Sequence, residues 1–217
     1  MKRNKVLSTI LFLLISVVIT KSQNVTIPII TENLATILQT DENNRLKIVY
    51  FGKSLTNVTE YERVGEAFNF DSEGADSNNS AFTVAGINNN FVEPAIAVVH
   101  VDGNNSLDLL YNSHTSSNTD DGAILTTVTL KDPVYPFFVE LNYKVWSGYD
   151  VVEQWSVIRH TENGEVLLNK YASANLYLNN KDYYLTSYNG AWAKEMRPVE
   201  THLRQGMHTI ETRLGTR

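Results

Sequence analysis

The chain has 217 residues, a formal charge of −6 at neutral pH and no cysteine. An acidic chain lacks the basic surface that nucleic acid or an anionic membrane attracts. Without thiols it has no disulfides, and a structural zinc site would need ligands gathered from scattered histidines and carboxylates.

The first residues read as a secretory signal peptide. Lys2, Arg3 and Lys5 form a basic start, Val6 to Ile19 is apolar, and Thr20-Lys21-Ser22 puts small residues at −3 and −1 of a cut before Gln23. The apolar run falls short of the about 20 residues a membrane span needs. No cysteine follows it, which excludes a lipid-anchored form. Residues 1–22 carry four basic side chains and no acidic one, so their removal leaves 195 residues and takes the formal charge from −6 to −10. That length suits one large domain with its own core, 23–217, in an exported protein. After cleavage no membrane or nucleic-acid partner is expected.

In chain order, the mature part reads as almost all β. Leu34–Gln39 and Leu46–Phe51 flank the polar turn Asp41-Glu42-Asn43-Asn44 and predict a hairpin. Thr56–Val64 is the one place for a short helix; Thr59-x-x-Glu62 fits a capping box, but the segment is too short to assign one. Residues 69–90 read as irregular and polar, with Asp71 to Ser80 a long exposed loop. Pro94–Val101 is a continuous apolar strand, Asp102-Gly103-Asn104 a turn, and Leu107–Tyr111 the return. Asn118–Gly122 is the next turn, Ile124–Leu130 the next strand, and Pro133–Trp146 a long aromatic one. Val151–Ile158 alternates between an apolar and a mixed face. Asn163-Gly164 has type I′ hairpin character, with Val166–Leu178 running back. About ten strands joined by Gly, Asn and Asp turns predict a large antiparallel β-sandwich of two facing sheets.

Candidate chemistry is sparse. His100, His114, His160, His202 and His208 show no metal-ligand spacing. Asp71-x-Glu73-x-x-Asp76 departs from the order of a calcium loop and reads as solvated acids. There is no Gly-x-Ser-x-Gly and no phosphate-binding glycine loop. Glu93, Asp102, Asp108, Glu140, Glu153 and Glu195 are candidates for a carboxylate pair, but no spacing selects two of them. No catalytic residue, metal ligand or cofactor is therefore assigned. Trp146 and Trp155 alternate with apolar residues and read as core. Trp192, in a turn after Tyr183, Tyr184 and Tyr188, either stacks on a sugar ring or packs against a sheet edge or neighbouring domain. Asn24, Asn57, Asn78 and Asn104 begin Asn-x-Ser/Thr triplets.

The region around Trp192 carries a resemblance. An aromatic run, Asp182–Ser187, leads into Gly190-Ala191-Trp192-Ala193-Lys194-Glu195, then Leu203-Arg204-Gln205-Gly206 and Thr212-Arg213-Leu214-Gly215. Upstream come Leu46–Gly52, Glu93-Pro94-Ala95, Asp102–Leu109, Lys131–Phe138 and Glu153-Gln154-Trp155. In this order the pieces resemble the N-terminal domain of family 36 glycoside hydrolases, the bacterial α-galactosidases, in a variant similar to that of Bacteroidetes-like bacteria, which implies a periplasmic rather than a fully secreted protein. The resemblance implies a β-supersandwich that precedes a retaining (β/α)₈ barrel carrying two catalytic aspartates, neither of which has a counterpart here. It implies a galactoside substrate for the parent enzyme, homo-oligomers, and a domain that is inert alone. Asn90, Glu93 and Trp192 become the candidate contacts to carbohydrate or barrel. In many relatives the run before Glu-Pro-Ala is glycine-rich, with an aspartate and an arginine. Here Gly86–Val92 has asparagine and valine where those charges would fall. The alternative from the residues is a free-standing carbohydrate-binding sandwich using Trp192 and the 71–92 loop.

Overall fold

A computed structural model describes residues 24–64, 79–86, 93–178, 182–204 and 206–211. The expected signal peptide, Asn90, and the acids at 71, 73 and 76 lie outside the described residues.

The expected first hairpin forms, as β2 (Leu34–Thr40) and β3 (Leu46–Lys53). Its turn is closed by Asp41, whose Oδ1 accepts from the backbone N–H of Asn43 and of Arg45. A strand the sequence reading missed, β1 (Thr26–Ile30), adds antiparallel to β2 and makes three strands in the order β1-β2-β3. Pro28 hides β1 from a propensity argument, yet an edge strand tolerates proline because one side of its backbone needs no partner. Ile27 and Ile29 alternate into the core.

The other face of this sheet is covered too. Ala35, Ile37 and Val49 pack with Tyr61, the first residue of the short helix α1 (Tyr61–Val64). Asn57 caps the 3₁₀ turn before it by accepting from the N–H of Thr59 at 3.2 Å. The cap thus sits two residues upstream of Thr59, the residue that fits a capping box. Asparagine ranks above threonine as an N-cap, and it takes the position.

Residues 79–86 correct the reading of 69–90 as uniformly polar. Ala81, Phe82 and Val84 are buried in the main core, and the segment bridges Lys47 on one side and Ile96 on the other. Three apolar residues are too few to show a period, so the polar run before them dominated the pattern.

The main wall is a four-stranded antiparallel sheet, β5 (Leu110–Asn118), β6 (Ile124–Lys131), β7 (Phe137–Trp146) and β8 (Val151–His160), in that order. Phe137, Val139, Leu141, Tyr143 and Val145 form the inward face of β7, packed with Val128 and Leu130 of β6. Burial raises the pKa of the Tyr143 phenol. The expected strand over 94–101 shortens to β4 (Ile96–Val99). It pairs not with the residues after its turn but with β9 (Leu167–Tyr171).

Asn163-Gly164 is therefore not a hairpin turn. β8 and β9 belong to different sheets, and residues 161–166 carry the chain across. Type I′ geometry needs positive φ at both central residues. Gly164 has φ 147°, but Asn163 is not among the positive-φ residues. After β9, a final hairpin, β10 (Tyr184–Asn189) and β11 (Arg197–His202), forms its own two-stranded sheet. The described fold is all-β, antiparallel and sandwich-like, with eleven strands in four sheets where two large ones were expected.

Candidate functional site

The Trp192 turn joins β10 to β11. Backbone bonds between Ala191 and Lys194 close it, and Ala193 and Met196 take left-handed φ values of 57° and 54°. Those two non-glycine residues hold a costly conformation, which needs the turn around them to fix it. The indole projects from this turn and is 96% exposed. It neither packs on a sheet edge nor lies in a groove, since every described residue from Tyr188 to Thr201 is exposed.

Glu93 is also at the surface. Its carboxylate pairs with Lys170 of β9, and its backbone oxygen accepts from Thr83 at 3.2 Å. The fold gives Glu93 a local cation rather than an open coordination position. Among the other carboxylates, Asp108 pairs with Arg45 at 2.9 Å and Glu140 with Arg159. Asp102 accepts from the Tyr135 hydroxyl at 2.8 Å. The backbone N–H of Asn104, and then the Tyr135 hydroxyl, hold Asp102 below the usual carboxylate range. Four of the six candidates are thus engaged by different partners in different parts of the fold. Among the described residues no three His, Asp or Glu side chains converge as a metal site.

Trp146 and Trp155 depart from expectation. Both are half-buried and stand on the outward face of the β5–β8 sheet, outside the core clusters. Their parity explains this: Trp155 pairs with Asn142, on the opposite face from Leu141 and Tyr143. Lys144 lies 4.7 Å over the Trp146 ring and donates to Asp121 at 2.5 Å. That bond, then one from Thr119, pushes the Asp121 carboxyl down to about 2. The outward face is therefore charged and internally paired.

What the sequence pattern concealed is a division of the chain. Among the described residues, every residue buried as a whole lies at or before Val145. Beyond it Val152, Ile158, Val166, Ala172 and Tyr177 are partly buried against the core, while other large apolar side chains of the same segment face solvent. Leu167, Leu168 and Tyr171 on β9, then Leu176 and Leu178, then Tyr184, Tyr188, Trp192, Met196 and Val199 in the last hairpin are all exposed. An isolated two-stranded hairpin is at best marginally stable in water. Large contiguous apolar patches are a feature of interaction surfaces. The signal available in the sequence was the aromatic content of 183–192.

Comparison with known proteins gives a consistent result. The model of the glycosyl hydrolase family 36 N-terminal domain matches residues 44–217. The chain is 25% identical over 218 aligned positions to alpha-galactosidase Mel36A of Lactobacillus acidophilus, covering 89% of this chain and 30% of that protein. Its fold is similar to that of an alpha-galactosidase from Lactobacillus brevis, with TM-score 0.75, 21% identity, and coverage of 88% of this chain and 29% of the other. The family 36 alpha-galactosidase AgaA of Geobacillus stearothermophilus superposes with TM-score 0.74 at 20% identity, over 87% of this chain and 29% of the enzyme. The chain thus spans about three-tenths of the length of these relatives. With the match running over most of its residues, the chain belongs to the glycosyl hydrolase family 36 N-terminal domain family.

Proposed function

We propose that this chain is the non-catalytic leading domain of an exported α-galactosidase that releases terminal α-galactose in carbohydrate catabolism. In that role its C-terminal third packs against a (β/α)₈ barrel and shapes the entrance to the barrel's active site. The observation that carries the reading is that no described residue beyond Val145 is buried as a whole, while large apolar side chains of β9 and the last hairpin stand exposed. Such strands are built to be covered, and the relatives hold about 70% of their length outside the matched region. The substrate class follows the relatives, which are alpha-galactosidases; a doubly substituted variant of AgaA has been crystallised with raffinose. Export rests on the signal-like residues 1–22.

A free-standing sugar-binding module would place Trp192 in a groove beside hydrogen-bonding groups. The indole instead stands clear on a hairpin tip. Such a ring suits insertion into a partner surface better than stacking on a sugar in isolation.

Two measurements test the proposal. The purified chain is expected to show no turnover of a chromogenic α-galactoside, and measurable turnover would overturn its non-catalytic role. Reading the DNA beyond the Arg217 codon in all frames is expected to show a barrel carrying two catalytic aspartates. Its absence would overturn the docking role.

A further inference from the structure

The four-stranded sheet ends on β5 with an open edge. Asn44 covers that edge only at Tyr111, accepting from its backbone N–H at 2.8 Å and donating through the Asn44 amide to its carbonyl at 2.7 Å. Beyond Tyr111, no described residue outside β6 bonds the backbone of residues 112–118, and all of them are exposed. The β5–β6 turn fixes which backbone groups are open. Thr119 donates its N–H to Ala123 across that turn. In an antiparallel ladder successive residues alternate between facing the partner strand and facing away. Counting back from Thr119, Ser117, Thr115 and Ser113 turn their backbone groups to β6, while Asn118, Ser116 and His114 turn theirs outward. The bulge between Tyr111 and Ser113 then returns Tyr111 to the outer edge, where Asn44 meets it. His114 and Ser116 pair with Val128 and Thr126 on the face that carries the core, yet both remain exposed. The core therefore stops short of β5.

Proteins guard such edges with charge, proline or cover. β1 carries Pro28. β8, at the opposite end of the same sheet, carries Glu153 and Arg159, and its Ser156 hydroxyl bonds to Tyr171 and Ser173. From Asn112 to Asn118 there is no proline and no Asp, Glu, Lys or Arg. The strand runs nine residues, where about five or six is ordinary. The open segment also reads nearly the same in both directions about Thr115: Asn112 answers Asn118, Ser113 answers Ser117, and His114 answers Ser116. Two identical strands paired antiparallel across a two-fold axis set their residues against each other in that reversed order. Asparagine then meets asparagine, serine meets serine and threonine meets threonine. Such neutral hydroxyl pairs hydrogen-bond across strands and bring no like charges together.

We propose that β5 is a self-association edge: two copies of this chain join β5 to β5, antiparallel about a two-fold axis at Thr115, and merge their four-stranded sheets into one. His114 of each copy exchanges backbone hydrogen bonds with Ser116 of the other, and the two Thr115 residues face each other as a non-hydrogen-bonded pair. Pairing along a single edge buries less than the about 1,200 Å² at which standard interfaces begin, so the dimer is weak and depends on concentration. It uses neither Trp192 nor β9 and is independent of the docking role.

The chain has no cysteine, so one introduced thiol reads the register. Facing Cα atoms of a non-hydrogen-bonded pair lie about 4.5 Å apart, within reach of a disulfide. Under a mild oxidant, Thr115→Cys is expected to form a covalent dimer roughly tenfold or more faster than Ser113→Cys, because the paired state raises the local thiol concentration only where a residue faces its own copy. Ser113 is exposed as well, but it faces Ser117 across the axis. Sedimentation of the unmodified protein from about 1 to about 500 µM is expected to show a monomer–dimer equilibrium. Thr115→Lys sets two ammonium groups against each other at the axis and should keep the protein monomeric over the same range, with its β-sheet circular dichroism unchanged. A monomer at every concentration, which would leave the edge to another segment of the parent enzyme, would overturn the pairing. So would a dimer that Thr115→Lys does not weaken, or equal oxidation rates for the two cysteine variants.

Discussion

Asp150 and Asn33 join the β7–β8 turn to the β1–β2 turn through two hydrogen bonds to one carboxylate. The Asn33 backbone N–H donates to Oδ1 at 2.8 Å and its side-chain amide to Oδ2 at 2.7 Å. The Thr31 hydroxyl adds a third, to Oδ1 at 2.5 Å. Asp150 itself takes φ 50°, a left-handed conformation that Asp and Asn tolerate better than most residues. The bonds from Thr31 and then Asn33 hold its carboxyl below the ordinary range.

Asp150→Ala should therefore lower the melting temperature more than Asp150→Asn, which keeps the left-handed tolerance and part of the bonding. The pH dependence has a definite sign. A carboxyl depressed in the folded state contributes stability that is fully present above its unfolded value of about 3.9 and lost as pH falls through the folded value. The gap between the melting curves of the parent and Asp150→Ala should be constant near neutrality and close below about pH 4. A gap that persists unchanged in acid would show that the bonds do not favour the charged form.

Gly164 is the other local constraint, in the crossing between β8 and β9. At φ 147° a side chain is strained, and a Cβ there would lie 2.9 Å from Val101 Cγ1. Gly164→Ala should cost about 1–3 kcal/mol in urea unfolding, from strain and overlap together. Gly103→Ala is the control. Its φ of 85° is also positive, but a Cβ would meet nothing within 4 Å, so its cost should be the smaller.

These two sites show what was legible in the sequence. The β2–β3 hairpin, the Asn118–Gly122 turn and the strand identity of 124–130 and 151–158 follow from alternation and turn residues, as does that of the strand expected over 133–146, which begins only at Phe137. Those signals are local, and the fold obeys them. Pairing is not local: Asn163-Gly164 has hairpin chemistry, yet β9 finds β4 because Ile96, Val98 and their neighbours offer a buried partner surface. The two tryptophans went to the wrong face because neighbouring residues on both faces of β7 and β8 are apolar, and parity was decided by the sheet they joined. At the candidate site, the aromatic hairpin was legible, but the exposure of Trp192 was not.

The segment 79–86 gives a sharper check on the core. Phe82 is 3% exposed in a stretch whose polar neighbours suggested a loop. Phe82→Ala should cost about 3–5 kcal/mol, the range for removing a buried aromatic ring. A cost below about 1 kcal/mol in equilibrium unfolding would place the ring at the surface and return the segment to the loop expected from composition.

The last hairpin separates folding from docking. Leu141 on β7 is 1% exposed, and Leu141→Ala should destabilise the chain by about 2–5 kcal/mol. Trp192→Ala removes a larger side chain from a position that is 96% exposed, so unfolding should change by no more than about 0.5 kcal/mol. Aromatic side chains that stand free in one chain and bury in a complex are characteristic binding hot spots, worth about 2 kcal/mol or more on truncation. Against a family 36 catalytic domain supplied as a separate chain, Trp192→Ala should therefore weaken binding by roughly thirtyfold or more. Calorimetric titration beside urea unfolding reads both quantities. Lost stability without lost binding would mean that the indole supports its own hairpin and that the docking surface lies elsewhere, on Leu167, Leu168 and Tyr171 of β9.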